Sequence, residues 1–487
     1  MFPLVDASSR REFLARLAKI GVVCSVSSSR VTFGGANADH ALPDPALTFP
    51  GPWTFTLPKG GIILVSDPQL EDLTDADKEV DLSLSATPNR TTLRKLCEQQ
   101  RAAGAKTIIL AFDEFWSQYR AGQGGQPRAL TPDLDEYLRR VVKISETRKS
   151  YGIGLELSLL SPLEIGRGYA KKTGESGRWV HYREGWRDPR TGRFRVSLWE
   201  QLRWTNNKGT IELTRSGMRV FAFRERRVGR TSFYAVNSAE IVELQQPVEI
   251  EAAEPDTPRA KERRLTISGS GDTQHGSLNR VLVVVSYSVP EMDYFGPQAP
   301  PFLEDLVRRY HQAGVPLNGL YADEMHIQQD WGYASHHEEG QFALRYLTKH
   351  LERRFAELHG AEFADLEKHL VYFCYGQHGF YPNLEARLAA QHVFGDSPED
   401  IQRTFLLRRR YFDLLEKTVV DLFARAKESA EKLYGHELEA RAHATWAQSP
   451  TIDFWQPGGH SPAQIKYEYT PDFLWSNTVH QSASACD

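Results

Sequence analysis

The sequence predicts an α/β protein, a (β/α)8 TIM-type barrel with a small inserted all-β module. Three observations lead there. Short apolar runs that read as buried strands alternate with amphipathic helical stretches, which implies right-handed crossovers and a parallel sheet. Eight such runs favour a closed barrel over an open sheet. Between the third and fourth runs, over residues 185–276, the pattern changes to closely spaced β-type runs bounded by Gly, Pro, Asn and Asp, as an all-β insertion would require.

Length and composition permit this architecture. The chain has 487 residues, 40% of them hydrophobic and 25% charged, so a sizeable core is available. Its formal charge is −4, and the first 38 residues are themselves basic, leaving the remainder more acidic still. Nucleic acid and anionic membrane are therefore not the expected partners. Four cysteines without CxxC spacing give neither a zinc ribbon nor a disulfide framework, and Cys97, Cys374 and Cys486 read as buried or idle thiols.

Taken in order, residues 1–38 come first. Ser9-Arg10-Arg11-Glu12-Phe13-Leu14 precedes a modest apolar segment from Leu17 to Val26, and Ala36-Asn37-Ala38 has the small-x-small form of a cleavage site. This leader resembles the twin-arginine export signal of bacteria. The resemblance implies recognition by the twin-arginine translocation machinery and a periplasmic or secreted mature chain beginning near Asp39. Elsewhere no apolar run reaches the roughly 18 residues that a membrane span requires.

Residues 39–184 read as the first part of the barrel. After the proline-rich stretch Pro43 to Pro58, strand runs are Gly61 to Ser66, Lys106 to Phe112 and Ile153 to Leu160, with helices at Thr92 to Ala103 and Leu134 to Arg148. The inserted module follows, with runs at Thr210 to Leu213, Arg219 to Arg224, Ser232 to Val236, Glu240 to Leu244, Val248 to Ala252 and Arg264 to Ile267. Residues 277–487 resume the barrel with Arg280 to Ser288, Leu317 to Ala322, His369 to Tyr375, Leu438 to Trp446 and Asp472 to Asn477. Helices are expected at 301–314 and from Gln341 to Leu358, and Arg408 to Arg410 read as the solvated face of another. The sequence ends at Asp487 without a closing helix, so either the strand count is one too high or the chain is a fragment.

In such a barrel the site lies at the carboxyl ends of the strands. Those ends carry Asp67; Asp113, Glu114 and Trp116; Glu164; Tyr287, Glu291 and Asp293; Asp323, Glu324, His326 and Trp331; Tyr375, Gln377 and His378; His443 and Trp446; and Trp475, Asn477 and His480. Aromatic faces stack on sugar rings while acids and amides bind hydroxyls, so this mixture suits a carbohydrate. Glycosidic cleavage needs two carboxyl groups. Glu324, ending the buried run of YADEMH, is the expected proton donor; Asp323, Glu291 and Asp113 are the expected partners. Asp67, Glu114, Trp116, Tyr287, His326, Trp331, His443, Trp446, Trp475 and Asn477 are expected to bind substrate. Successive strand residues point to opposite faces, so Asp323 and Glu324 share the site only where the strand has turned.

Architecture and YADEMH together resemble the large group of (β/α)-barrel glycoside hydrolases over roughly residues 60–487. The Asp-Glu pair is similar to that of barrel hexosaminidases, in which the Asp orients the substrate's acetamido nucleophile. Asp323 stands where the retaining β-glycosidase superfamily has Asn, so that superfamily's two-glutamate mechanism is not implied. A non-catalytic carbohydrate-binding barrel and a metal-assisted barrel hydrolase using Asp67, Asp113 and histidines are the alternatives. No cofactor is expected, since the first βα turn is not glycine-rich and no GxxxxGK[ST] loop occurs. No metal is expected either: His336, His337, Glu338 and Glu339 read as a solvated helical turn.

Overall fold

The computed structural model describes residues 62–82, 90–112, 129–160, 162–206, 209–245, 248–255, 262–270, 275–322, 345–374, 391–442 and 474–475. All lie in one compact unit, Phe55–Asp487. The principal strands in chain order are β1 (Ile62–Val65), β2 (Thr107–Phe112), β3 (Gly154–Leu157), β4 (Gly177–Trp186), β5 (Phe194–Gln201), β6 (Thr214–Phe223), β7 (Phe233–Ala235), β8 (Val248–Ala252), β9 (Glu262–Gly269), β10 (Arg280–Val289), β11 (Leu317–Ala322), β12 (Gln391–Val393), β13 (Glu439–Ala442) and β14 (Leu474–Trp475). The helices are α1 (Asp67–Asp72), α2 (Leu93–Ala102), α3 (Asp135–Ser150), α4 (Pro162–Thr173), α5 (Ala299–Gln312), α6 (Lys349–His359) and α7 (Pro398–Tyr434).

The protein is mixed α/β. Six strands form a parallel sheet in the order β1-β2-β3-β11-β13-β14, each a run that the sequence marks as a barrel strand. Helices lie between the first five of them along the chain, and two of these helices carry local capping signals. The Thr92 hydroxyl accepts from the Lys95 N–H at the start of α2, Ser397 does the same for Asp400 in α7, and Gly435 ends α7 at φ 72°. Among the described residues β1 and β14 do not pair, so these strands do not by themselves close a barrel.

Two of the eight expected barrel strands lie elsewhere. Arg280–Val289 is the central strand of an antiparallel five-stranded sheet, between β6 and β4. A central strand covered on both faces is apolar throughout, so its sequence reads like a buried parallel strand. Leu366–Phe373 is a 3-10 helix rather than the strand expected at His369 to Tyr375; a short apolar run does not reveal its own period. The helix expected from Gln341 begins at Lys349, behind a two-residue strand at Arg345–Tyr346.

The antiparallel module contains the expected runs as strands, joined by β4 and β5; of them β7 pairs in parallel with β12 in a separate small sheet. One face of its five-stranded sheet lies against β5, where Gly185 leaves room for Val196, and β5 pairs with β9, which pairs with β8. The other face meets the carboxyl-terminal segments: the Tyr182 hydroxyl donates to the Phe373 carbonyl. Arg178 pairs with Glu367, and Arg219 binds Glu367, Asp365 and Glu243 at 2.6–3.0 Å. Arg408, expected on a solvated face, is fully buried and donates to the Tyr372 carbonyl, Gln391 Oε1 and the His392 carbonyl. Its guanidinium satisfies carbonyls where β12 meets the 3-10 helix.

Candidate functional site

The parallel sheet has two unlike faces. Register places Ile109, Glu156, Gly319 and Glu439 at one level, and Tyr321 beside Arg441 two residues further on. Side chains alternate along a strand, so Glu156, Ser158, Gly319 and Tyr321 share a face. The other face carries Val65, Ile108, Leu110, Leu155, Leu157 and Leu320, all at most 2% exposed. Helix α3 packs beside β3 on the sheet, and Arg148 of that helix donates to the Gly154 carbonyl at 2.6 Å.

Glu156 and Ser158 are completely buried, and Tyr321 nearly so. Gly319 makes the room. A Cβ there would stand 3.0 Å from Glu156 Cγ and 2.7 Å from the Glu439 carbonyl oxygen. A buried acidic side chain in the middle of a parallel strand is uncommon and distinguishes this face from the apolar one. Sequence reasoning passed over Glu156, although an acid inside the apolar run IGLELSLL is itself the signal.

The sheet register also aligns the strand ends. Val65 pairs with Phe112, Ala322 with Ala442, and Ala442 with Trp475. Ser66 and Asp67 follow β1. Asp67 Oδ2 accepts from the Ala129 and Leu130 N–H groups at 2.7 and 3.0 Å, and the Asp67 carbonyl accepts from Arg140, so this acid fastens the segment before α3. Of Trp475 only the backbone is described, at the edge of the sheet. Asp113, Glu114, Trp116, Asp323, Glu324, His326, Trp331, Tyr375, Gln377, His378, His443, Trp446, Asn477 and His480 lie outside the described residues. Glu164 lies on α4, with its backbone described.

Tyr287 and Glu291, expected at a barrel strand end, are in the antiparallel module because their strand is. Tyr287 is a fully buried residue of β10 between Trp179 and Arg215. Glu291 is fully buried, with Oε2 accepting from Trp179 Nε1 at 2.6 Å and Oε1 from the Tyr294 hydroxyl at 2.8 Å. Asp293 accepts from the Thr348 hydroxyl at 2.9 Å and the Phe295 N–H at 3.1 Å, and its Oδ2 is 2.7 Å from His350 Nδ1. Burial, with the Asp293 and Glu291 charges nearby, holds the Tyr346 hydroxyl protonated far above its ordinary range, so it remains a donor to the Met292 carbonyl. These contacts make the pair an anchor for the turn between β10 and α5.

A second polar cluster was not foreseen. Glu184 of β4, Glu225 just beyond β6 and His392 of β12 each bring one ligand atom within 4.8 Å of the others. Burial works against charging the imidazole, but the two carboxylates outweigh it and raise the His392 pKa. The three residues come from segments far apart in the chain, so no spacing motif announces them.

Comparison with known proteins leaves the family open. No family model and no curated protein matches the chain. Among solved structures it is similar to a rhamnosidase from Novosphingobium sp. PP1Y, at 11% identity and a TM-score of 0.30, over 72% of this chain and 44% of that one. The chain thus spans less than half the length of that structure. No helix among the described residues is long and apolar enough to cross a membrane.

Proposed function

We propose that the protein is an exported glycoside hydrolase, cleaving oligo- or polysaccharides by carboxylate acid/base catalysis at the carboxyl ends of the parallel sheet. The observation that carries this reading is the polar sheet face on which Glu156, Ser158 and Tyr321 lie in line. In sequence, Asp113 follows Phe112, and Asp323 and His443 follow the paired residues Ala322 and Ala442. Continuing the alternation by one residue gives Asp113, Asp323 and His443 the phase of the polar face. On the same parity Glu324 and Glu114 would take the opposite phase.

That phase favours Asp323 as an acid in the site, with Glu324 the proton donor if the chain turns directly after β11. Asp113 is the proposed second carboxyl group, two strands from β11 in the sheet order. Trp116, Trp331, Trp446 and Trp475 are the proposed sugar-stacking residues, and Asp67, Glu114, His326 and Asn477 the proposed polar contacts. Glu291 is better suited to anchoring, since both of its oxygens already accept hydrogen bonds inside the core. The parallel sheet is read as the wall of a (β/α) barrel, and residues 1–38 as the twin-arginine leader.

The test is hydrolysis of aryl glycosides and of plant, algal and microbial polysaccharides by the chain from Asp39, with Asp323→Asn, Glu324→Gln and Asp113→Asn in parallel. Loss of a catalytic carboxyl should lower kcat by about 100-fold or more in a folded variant. Full activity in all three would remove this site, and sugar binding without cleavage by the wild type would favour a carbohydrate-binding barrel. Export is tested separately: R10K/R11K should abolish appearance of the protein outside the cytoplasm of a bacterial host.

A further inference from the structure

We propose that Glu184, Glu225 and His392 form a site for a divalent metal ion of the zinc type, built into the antiparallel module and independent of the hydrolase reading. Two carboxylates and one imidazole are a donor set that zinc accepts, whereas calcium and magnesium prefer six or more oxygens. His392 Nε2 stands 2.9 Å from Glu225 Oε2 and 3.1 Å from Glu184 Oε2. Tetrahedral zinc with bonds of about 2.0–2.2 Å holds its ligand atoms roughly 3.3 Å apart, so each carboxylate oxygen needs to move only a few tenths of an ångström from the imidazole nitrogen, and the two oxygens already lie within 4.8 Å of one another. Three protein ligands leave a fourth position for water or another small donor.

The surroundings are those of a preformed site. Arg280 lies 2.7 Å from Oε1 of Glu184, the oxygen turned away from the imidazole, and orients that carboxylate. Arg280 Nε also approaches Glu225 Oε2 at 3.5 Å, which moderates the pull of that oxygen on an ion. The Glu225 N–H donates to Asn279 Oδ1 at 3.2 Å, and Arg408 holds the His392 carbonyl. Phe223 meets the imidazole edge-on at a centroid distance of 5.7 Å, and Tyr234 lies tilted against it at 6.0 Å, so the ring is held in place. An ion there would tie β4, the end of β6 and β12 together, and so join the module to the segment leading into α7.

The experiment titrates the full chain, stripped with a chelator, first with Co2+ as a spectroscopic probe and then with Zn2+ in competition. One equivalent of Co2+ should develop the intense visible absorption of four-coordinate cobalt, and Zn2+ should remove it. Glu225→Gln and His392→Gln should each weaken binding by at least about 100-fold, since even outer-shell changes cost 10–100-fold. Glu243→Gln, outside the cluster, should bind as the wild type does. If either cluster variant fails to fold, zinc-dependent hydrogen-exchange protection of β4 and β12 in the wild type supplies the readout, and its absence overturns the proposal. Wild type that takes up no more metal than the surface background, or cluster variants that bind like wild type, would leave the cluster as an ion-pair lock.

Discussion

The parallel and antiparallel sheets bury polar side chains in contrasting ways. In the antiparallel module the buried charges cross to other layers: Arg178 and Arg219 reach Glu367, and Arg280 and Glu184 sit with Glu225 and His392. The Glu367 pairs fasten the sheet to the carboxyl-terminal segments as cohesion, whereas the Glu184, Glu225 and His392 cluster is the one proposed to hold a metal ion. In the parallel sheet Glu156, Ser158 and Tyr321 instead share one face, opposite an apolar one, in a row that leads toward the strand ends. In α/β folds the residues that do chemistry collect at those strand ends. The contrast separates residues whose loss costs stability from residues whose loss should cost function.

The largest effect is expected at the fastening network. Glu367→Ala removes a fully buried anion shared by Arg178 and Arg219, and should destabilise the protein by about 3 kcal/mol, read as a lower denaturant midpoint with unchanged activity per folded molecule. If activity per folded molecule also fell, the network would not be purely cohesive.

A comparable loss should come with acid. Burial lowers the His369 pKa to about 4, with the hydrogen bond to the Asp365 carbonyl opposing it only in part. The fold prefers neutral imidazole, and the unfolded chain binds the proton first. The contribution is therefore complete above the unfolded pKa near 6.5 and is lost as pH falls toward 4, amounting to about 3 kcal/mol. Comparing the acid limb of wild type with that of His369→Gln should show the limb flattened in the variant.

Gly319→Ala probes the other sheet. Its Cβ would press on Glu156 and the Glu439 carbonyl, at an expected cost of about 1–3 kcal/mol, and a loss of kcat beyond the unfolded fraction would tie the polar face to catalysis. Smallest is Ser397→Ala, which removes the cap accepting from the Asp400 N–H at 3.0 Å and should cost about 1 kcal/mol without touching either sheet's polar residues.

Much of the fold was legible in the chain. Six of the eight expected strand runs entered the parallel sheet, and the helix expected from Thr92 to Ala103 spans Leu93–Ala102, with those two residues as its caps. The site was less so. Asp67, expected to meet substrate, holds the backbone amides of residues 129 and 130 through one carboxylate oxygen, and Glu156 went unnoticed in a run read only for its hydrophobicity. Tyr287 and Glu291 were misplaced together, because their position depended on which sheet received a single strand.

By itself the sequence determined what is local: where apolar runs begin and end, where helices are capped, and that the middle of the chain forms closely spaced strands. These follow from side-chain period, turn chemistry and capping, which act over a few residues. Tertiary structure decided partnership. Arg280–Val289 is equally apolar for a parallel or an antiparallel neighbour, and only pairing with β4 and β6 on either side settles it. The meeting of Glu184, Glu225 and His392, and the burial of Arg408 among distant carbonyls, were decided the same way. Long-range contacts of this kind depend on how sheets and layers stack, for which a strand's own residues carry no address.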